Sequence, residues 1–243
     1  MIKLKFVFIG ADDNFLMSQK EFDVIKTRLD NVSIYTEWTP NNKNELARIY
    51  NSRMDQSINP NTKKSDFDYI IFSHADVRFD PTSFISHLIE INGKYDLIGL
   101  AGTKKMNTSY SPLNWFTSSH EFPEQRYGHV VMTNDGRTED CFYNQQFNPG
   151  IRDTEVACID GLCMIISRSL IERGFRFDTG IDDFNFYDTG ASLKCILEYN
   201  GKVGVMVEKV EHTSVGKSIL SRSFIENEQK FRARWKFGEI KKN

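Results

Sequence analysis

The chain has 243 residues, which suits one large domain or two small ones. Its 31 Lys and Arg and 33 Asp and Glu give a formal net charge of −2, which argues against a nucleic-acid binder because such proteins carry a basic excess. No apolar stretch approaches the ~18 residues of a membrane helix, so we predict no transmembrane segment. The opening "MIKLKFVFIG" lacks the long apolar region and cleavage site of a signal peptide and is predicted to be a strand.

The first hundred residues alternate apolar runs of strand length with stretches of helical periodicity. This alternation predicts a parallel sheet with helices on both faces. Ligands of such sheets bind beyond the carboxyl ends of the strands. The predicted strands are residues 3–9, 32–38, 68–73 and 95–102, and the predicted helices are residues 18–30, 44–58 and 81–92.

Residues 102–155 have a different composition, rich in Asn, Ser, Thr, Gly and Pro with interspersed aromatic residues. A loop of this length is usually functional or disordered, and its aromatic residues argue against disorder. We therefore predict an irregular insertion packed over the edge of the sheet. Beyond it we predict strands at 156–167 and 202–207, helices at 186–201 and 222–237, and a loop at 210–216.

Polar side chains follow the third predicted strand directly, in "SHADV". Asp76 is a hard oxygen ligand that suits a divalent ion bound to the phosphates of a nucleotide, and it is equally suited to forming a turn. Asp80, which precedes a proline, is predicted to be a helix N-cap. His212 in "VEHTSVG" is either a metal-ligating partner of Asp76 or an ordinary loop histidine.

Two further segments place carboxylates where chemistry is possible. Asp188 in "FNFYDTGASL" begins a predicted helix, where it serves as a general base or as an N-cap. Asp182 and Asp183 lie shortly before it. Asp160 in "CIDGL" precedes a glycine, and a simple turn is the alternative explanation of that pair.

The chain resembles the GT-A glycosyltransferases in a series of segments and in their order. These segments are "ARIYN", "SHADV", "IGLAG", "IDGLCMIISRSLI", "FNFYD", "KVGVMV" and "EHTSVG". The resemblance runs from residue 3 to residue 236 and is closest to the glycosyltransferase-2-like group that includes the StrF-type streptomycin-biosynthesis domain. It implies an α/β fold of the Rossmann-like nucleotide-diphospho-sugar transferase type, with a mixed, mainly parallel sheet flanked by helices. It also implies one domain over residues 1–243.

The resemblance implies a role for each candidate site residue. Asp188 matches the catalytic base, while Asp76 and His212 match the residues that hold Mn²⁺ or Mg²⁺. The implied nucleotide-binding residues are Ile9, Gly10, Tyr50, Asn51, His74, Ala75 and Asp76. The implied acceptor-binding residues are Trp115, Asp160, Gly161 and Tyr187. Two positions depart from the group's pattern: Asn185 stands where His is usual, and Thr189-Gly190 stands where a second acid follows the base.

The implied activity is metal-dependent, inverting transfer of a sugar from a nucleotide-diphosphate sugar, with a UDP-sugar favoured. The acceptor is a hydroxyl of a glycan or another molecule, in bacterial glycan or glycoconjugate biosynthesis. Residues 1–101 form the nucleotide-binding half, residues 102–221 the acceptor-side half and residues 222–243 a C-terminal helix. The expected location is the cytoplasm, including a peripheral place at the inner face of the membrane.

Two alternatives accompany this reading. The absence of a second acid after Asp188 favours a catalytically idle module that binds sugar nucleotides or carbohydrate on the same fold. A nucleotidyltransferase shares the nucleotide-binding sheet and the metal-binding Asp. Such an enzyme carries a basic, Gly-rich phosphate loop near its N-terminus, whereas "IGADDNF" is acidic and holds one Gly.

Overall fold

The computed structural model of the protein describes residues 1–10, 21, 22, 25, 29, 31–39, 45–134, 136–181, 185–213 and 222–236. Its strands are β1 (Ile2–Ile9), β2 (Val32–Thr39), β3 (Tyr69–His74), β4 (Val77–Phe79), β5 (Leu97–Gly99), β6 (Ala101–Thr103), β7 (Arg126–Asn134), β8 (Arg137–Tyr143), β9 (Asp153–Glu155), β10 (Cys158–Ile159), β11 (Cys163–Ser167), β12 (Val203–Met206) and β13 (Lys209–Thr213). Its α-helices are α1 (Leu46–Gln56), α2 (Pro81–Glu90), α3 (Arg168–Glu172), α4 (Tyr187–Leu197) and α5 (Arg222–Arg234), and Pro123–Gln125 form a 3₁₀ turn.

A seven-stranded mixed sheet forms the centre, in the order β2-β1-β3-β11-β5-β12-β9. Strands β2, β1 and β3 run parallel, and β12 runs parallel to β5. Strand β11 lies antiparallel between β3 and β5, and β9 closes the far edge antiparallel to β12. The predicted fold class, a mixed α/β sheet flanked by helices, is therefore confirmed.

The central sheet is covered on both faces, as the alternation of strands and helices predicts. Successive side chains of β1 point to opposite faces, because a strand has a period of two residues. On one face Phe6 packs against Phe84 of α2, with 5.9 Å between the ring centroids. On the other face Val7 belongs to the same buried cluster as Tyr50 of α1. Burying each such side chain contributes about 1.5–3 kcal/mol to stability.

A second sheet, which the sequence analysis did not predict, has the order β10-β6-β7-β13-β4, with β8 paired to β7. Among the described strands, the chain crosses between the two sheets seven times, and four of these crossings are short: β3 to β4, β5 to β6, β10 to β11 and β12 to β13. The strands predicted at 95–102 and 156–167 are each divided by such a crossing. Two of the crossings, Ala75–Asp76 and residues 160–162, hold candidate site residues.

The insertion is more regular than the predicted irregular segment at 102–155. Strands β7 and β8 form an antiparallel hairpin with seven paired positions, from Gly128–Tyr143 to Asn134–Arg137. The β-branched and aromatic residues of "YGHVVMT" explain the strand, because such side chains suit a half-buried pleated surface. Residues 104–122 contain no described helix or strand, which agrees with the prediction for that part.

The predicted helix 18–30 lies mostly outside the described residues, although Glu21, Phe22 and Ile25 are helical. Helix α2 begins as predicted: the Asp80 carboxylate accepts a hydrogen bond of 2.9 Å from Thr82 N, and Pro81 occupies the first turn. Within the described part of the chain, every helix is too short or too polar to cross a bilayer.

Candidate functional site

Three side chains that can ligate a metal meet where β3 leaves the central sheet. His74 ends β3, Asp76 lies in the turn to β4, and His212 is carried by β13. Strand β13 pairs with β4 so that His212 faces Val77, which places it beside Asp76. One ligand atom from each of the three residues lies within 4.8 Å of the other two.

His212 lies beside Asp76, as one of the two predictions for it required, but it lies in a strand and not in a loop. Residues 209–213 form β13 rather than the predicted loop, because β13 fills the position between β7 and β4. Residues 214–216 of that predicted loop lie outside the described residues. His74, predicted only to bind nucleotide, belongs to the metal-capable group as well. The two-residue spacing of His74 and Asp76 across a turn is the signal that points to a shared ion site.

Asp76 and His212 each favour the charged form of the other, with 3.5 Å between Asp76 Oδ2 and His212 Nε2. Burial works to raise the pKa of Asp76, but its contact with His212 outweighs burial and lowers that pKa. Burial likewise works to lower the pKa of His212, and the Asp76 carboxylate raises it. Burial lowers the pKa of His74, which favours the neutral imidazole that binds metals.

Helix α4 contacts this group through the side chain of Tyr187. Tyr187 Oη and His74 Nε2 are 2.9 Å apart and share a hydrogen bond. The Tyr187 ring lies against Gly161, where a Cβ atom would come within 2.2 Å of Tyr187 Oη. A residue with a side chain at position 161 would therefore have to displace the Tyr187 ring. The acceptor-binding role that the resemblance implies for Gly161 stays a prediction.

Asp188 follows Tyr187 in the first turn of α4. The alternative in which Asp188 is an N-cap is not what the structure shows: the N-cap is Phe186, with a left-handed φ of 59°, and none of the described side chains caps the helix. Asp188 Oδ2 instead accepts a hydrogen bond of 3.1 Å from Gly161 N, and Oδ1 accepts one of 2.6 Å from Thr189 N. The carboxylate thus joins α4 to the crossing at Gly161.

The electrostatic surroundings of Asp188 suit proton transfer near neutral pH. Burial raises the pKa of Asp188, the charge of Asp160 raises it further, and the hydrogen bonds from Thr189 oppose both effects, giving a pKa of about 7. A general base works best when its pKa is close to the working pH. Strongly shifted carboxyl groups are common at functional sites, so this shift singles out Asp188 among the described carboxylates.

Asp160 is held in place by two donors from different elements. Trp115 Nε1 donates to Asp160 Oδ2, and Leu162 N donates to Oδ1 over 2.8 Å. Trp115 is 6% exposed, so its ring supports Asp160 rather than offering an open surface. The exposed aromatic ring beside it is Phe116, which is 44% exposed and packs edge-on against Trp115.

Five of the seven predicted nucleotide-binding residues lie at the same edge of the sheet: Ile9, Gly10, His74, Ala75 and Asp76. Ala75 N donates to Ile9 O over 2.9 Å, and Gly10 N donates to Thr39 O over 3.3 Å. Ile9 also pairs directly with His74 in the sheet register. The carboxyl ends of β1 and β3 therefore converge beside the metal-capable group, as expected for a parallel sheet.

Tyr50 and Asn51, by contrast, are placed inside the fold. The Tyr50 ring has no exposed surface and stacks on Phe72 with 4.3 Å between centroids. Asn51 bonds both backbone groups of Phe177, accepting from its N over 2.7 Å and donating to its O over 2.9 Å. These contacts favour structural roles for both residues over the implied contact with nucleotide.

Comparison with known proteins places this arrangement in context. A model described as a glycosyltransferase-like family matches residues 30–236. No curated protein matches the chain. The crystal structure of GalNAc-T7 with UDP, GalNAc and Mn²⁺ is similar over 96% of this chain and 47% of that chain, with 10% identity and a TM-score of 0.50. At this identity the similarity shows a shared fold.

A second solved structure, S. aureus TarS 1–349 in complex with UDP, is similar over 93% of this chain and 63% of that chain. Its identity to this chain is 10% and its TM-score is 0.46. This chain therefore spans less than two thirds of either solved chain.

Proposed function

This chain belongs to the glycosyltransferase-like family, and from that premise we propose that it is a metal-dependent, inverting glycosyltransferase that uses nucleotide-diphosphate sugars. Its fold is the GT-A fold. The observation that carries the proposal is the group of His74, Asp76 and His212 at the carboxyl edge of the sheet, joined by Tyr187 to the helix that carries Asp188. The setting we favour is bacterial glycan or glycoconjugate biosynthesis.

The three side chains fit a divalent cation. They offer one carboxylate and two imidazoles within 4.8 Å of one another. Carboxylate and water ligands suit Mg²⁺ and Mn²⁺, while imidazole suits the transition metals, so this mixed set favours Mn²⁺ over Mg²⁺. When bound there, such a cation supplies positive charge that stabilises a departing nucleoside diphosphate. The donor we favour is a UDP-sugar, since UDP and Mn²⁺ are present in the GalNAc-T7 structure of the same fold.

Asp188 supplies the base in this proposal. One of its oxygens takes the proton from an acceptor hydroxyl as that hydroxyl attacks the anomeric carbon on the face opposite the leaving diphosphate, which inverts the configuration. The hydrogen bonds from Gly161 N and Thr189 N fix the direction of the carboxylate. Asp160, held by Trp115, keeps the pKa of Asp188 near neutrality through its negative charge.

The two halves of the chain divide the substrates between them. We propose that residues 1–101 bind the nucleotide, with Ile9, Gly10, Ala75 and Asp76 at the edge of the sheet. Residues 102–221 bind the acceptor hydroxyl compound, and residues 222–243 complete the same single domain. The exposed ring of Phe116 is added here to the acceptor side, since aromatic faces suit the apolar face of a sugar ring.

We place the protein in the cytoplasm, with a peripheral position at the inner face of the membrane as the site of action. Cys141, Cys158, Cys163 and Cys195 are free thiols. Free cysteines are typical of reducing compartments.

Asp76→Asn is expected to abolish the Mn²⁺-dependent binding of UDP and leave the fold intact, because the carboxylate contacts His212 and caps none of the described helices. Binding is measured as the Mn²⁺-dependent rise in thermal stability with UDP, which for a ligand at 100 times its Kd amounts to about 2.7 kcal/mol. Asp80→Asn is the matched control, since Asn caps a helix nearly as well as Asp. Equal UDP affinity of the Asp76→Asn variant and the wild type contradicts the metal assignment.

Sugar transfer is expected to lose rate as the pH falls through about 7, because Asp188 with its raised pKa becomes protonated there and cannot accept a proton. Well below that pKa the rate falls by about tenfold per pH unit. The rate is measured at saturating donor and Mn²⁺, so that proton competition for the metal-binding histidines does not contribute. A flat profile between about pH 5.5 and 8 contradicts the role of Asp188.

Hydrolysis or transfer with a panel of UDP-sugars and Mn²⁺ separates this proposal from an idle binding module. The enzyme releases UDP from at least one donor over hours. An idle module binds UDP with Mn²⁺ and releases none.

A further inference from the structure

The two nitrogens of the His74 ring differ in their hydrogen bonding. Its Nε2 shares a hydrogen bond of 2.9 Å with Tyr187 Oη. Among the residues that the structure describes, no hydrogen bond reaches Nδ1. The imidazole therefore has one nitrogen held by Tyr187 and one without a hydrogen bond to the described residues, and the ring belongs to the group that it forms with Asp76 and His212.

The Tyr187 hydroxyl has little freedom to move away from His74. The space beside it is closed by Gly161, where even a single added carbon would lie 2.2 Å from Oη. The Tyr187 ring also packs edge-on against Tyr50, with 5.9 Å between centroids, and Tyr50 is fully buried. A side chain fixed in this way holds its hydrogen-bond partner without further ordering when a ligand arrives.

We propose that Tyr187 is a positioning residue that turns His74 into the third ligand of the metal site. This inference rests on the proposed function, since it takes a metal site at these residues as given. A histidine that binds a metal through Nδ1 carries its proton on Nε2, and Nε2–H then donates to Tyr187 Oη. The hydroxyl thereby selects the tautomer and ring orientation that direct Nδ1 to the ion. The role replaces the acceptor contact that family resemblance implied for Tyr187.

The same helical turn then serves both halves of the reaction. Tyr187 orients a ligand of the metal, and Asp188 next to it carries the base and bonds Gly161 N. The start of α4 thus fixes the distance between the donor side and the acceptor side of the site.

Tyr187→Phe tests the proposal, because phenylalanine keeps the ring against Gly161 and Tyr50 and removes the hydroxyl alone. Mn²⁺ binding is measured without nucleotide, from the electron paramagnetic resonance signal of the free ion. We expect the Kd for Mn²⁺ to rise by about 10- to 100-fold, the usual effect of losing a partner that orients a metal ligand. Tyr69→Phe is the matched control: it removes a tyrosine hydroxyl, bonded to Asn92 over 2.9 Å, at the opposite end of the same strand β3.

Two further readouts distinguish positioning from a general loss of structure. In a His74→Ala background, adding Tyr187→Phe is expected to cause no further loss of Mn²⁺ affinity, because residues acting through one another are not additive. In transfer assays, raising the Mn²⁺ concentration is expected to restore kcat of Tyr187→Phe to within a few-fold of wild type. A structural defect away from the metal site that leaves the Kd for Mn²⁺ unchanged is not expected to respond in this way.

The outcomes separate the two proposals. A wild-type protein that binds no Mn²⁺ overturns the metal site and with it this inference. A wild type that binds Mn²⁺, together with a Tyr187→Phe variant of equal affinity, overturns the positioning role alone. Tighter binding by Tyr187→Phe also overturns it, since the hydroxyl would then be competing with the ion for Nε2.

Discussion

Asp188→Asn is expected to lower sugar transfer by a factor on the order of 10²–10⁴, the usual contribution of a general base. Asparagine cannot accept the proton of the acceptor hydroxyl, whereas the metal-capable group lies on other elements and is unchanged. The affinities for UDP and for Mn²⁺ are therefore expected to stay within a few-fold of wild type. Single-turnover transfer and a separate binding titration measure the two quantities.

The structure also shows what this substitution costs besides catalysis. Both Asp188 oxygens accept backbone hydrogen bonds, so the amide of Asn must turn one N–H toward either Gly161 N or Thr189 N. Leaving that backbone donor unsatisfied costs about 1–3 kcal/mol. Asp96→Asn is the matched control, because the Asp96 carboxylate also accepts from one backbone N, that of Lys202, and lies just before β5 at the opposite end of the sheet.

If the loss of transfer activity in each variant equals its loss of folded protein, Asp188 is excluded as the base. The remaining candidates in that segment are Asp182 and Asp183, which lie outside the described residues. Loss of transfer in Asp188→Asn with normal transfer in Asp96→Asn supports the assignment.

Arg232→Met is expected to lower the free energy of unfolding by about 3–5 kcal/mol, because it leaves the Glu228 carboxylate buried without its positive partner. The two side chains are 6% and 2% exposed and lie 2.8 Å apart in α5. Glu228 also accepts hydrogen bonds from Ser111 Oγ and Leu113 N, and Arg232 donates to the carbonyl oxygens of residues 108 and 110. The pair therefore connects residues 108–113, which precede Trp115, to helix α5.

Arg222→Met on the same helix provides the control. Arg222 and Glu226 form an ion pair of 2.8 Å whose side chains are 93% and 54% exposed, so its loss is expected to cost at most about 0.5 kcal/mol. Denaturant unfolding compares the two variants. The double variant Arg232→Met, Glu228→Leu is expected to recover part of the stability, since it removes the unpaired charge. Similar small losses for Arg232→Met and Arg222→Met would contradict the importance of the buried pair.

Much of the first half of the molecule could be predicted from local patterns. The runs that became β1 and β3 are apolar along their length because both faces of their sheet are covered, and Asp80-Pro81 begins α2 through purely local chemistry. His74 and Asp76 could be placed at the edge of the sheet because they follow β3 directly. These features depend on residues that are close together in the sequence, so a local pattern is enough to predict them.

The parts that were missed depend on distant partners. Residues 209–213 contain too few apolar side chains to show the alternating pattern of a strand. They form β13 because β7 and β4 offer backbone hydrogen-bond partners on both sides. The crossing at Leu100 interrupts an unbroken apolar run, "LIGLA", so no local signal marks the change of sheet. Likewise, the sequence could not show that the Asp188 carboxylate meets Gly161 N rather than capping its own helix.

The position of β12 and β13 has a consequence for how the chain is made. Both strands come from residues 203–213, yet β12 lies between β5 and β9, and β13 lies between β7 and β4. While the ribosome synthesises the 58 residues from the end of β9 at Glu155 to the end of β13 at Thr213, the strands on either side of each of these two positions have unpaired edges. At ~5–20 residues per second this exposure lasts roughly 3–12 s, during which such edges invite association between nascent chains. Residues 203–213, which pair with these edges, also carry His212. A nascent chain therefore completes the group of His74, Asp76 and His212 in the same step that covers the exposed strand edges.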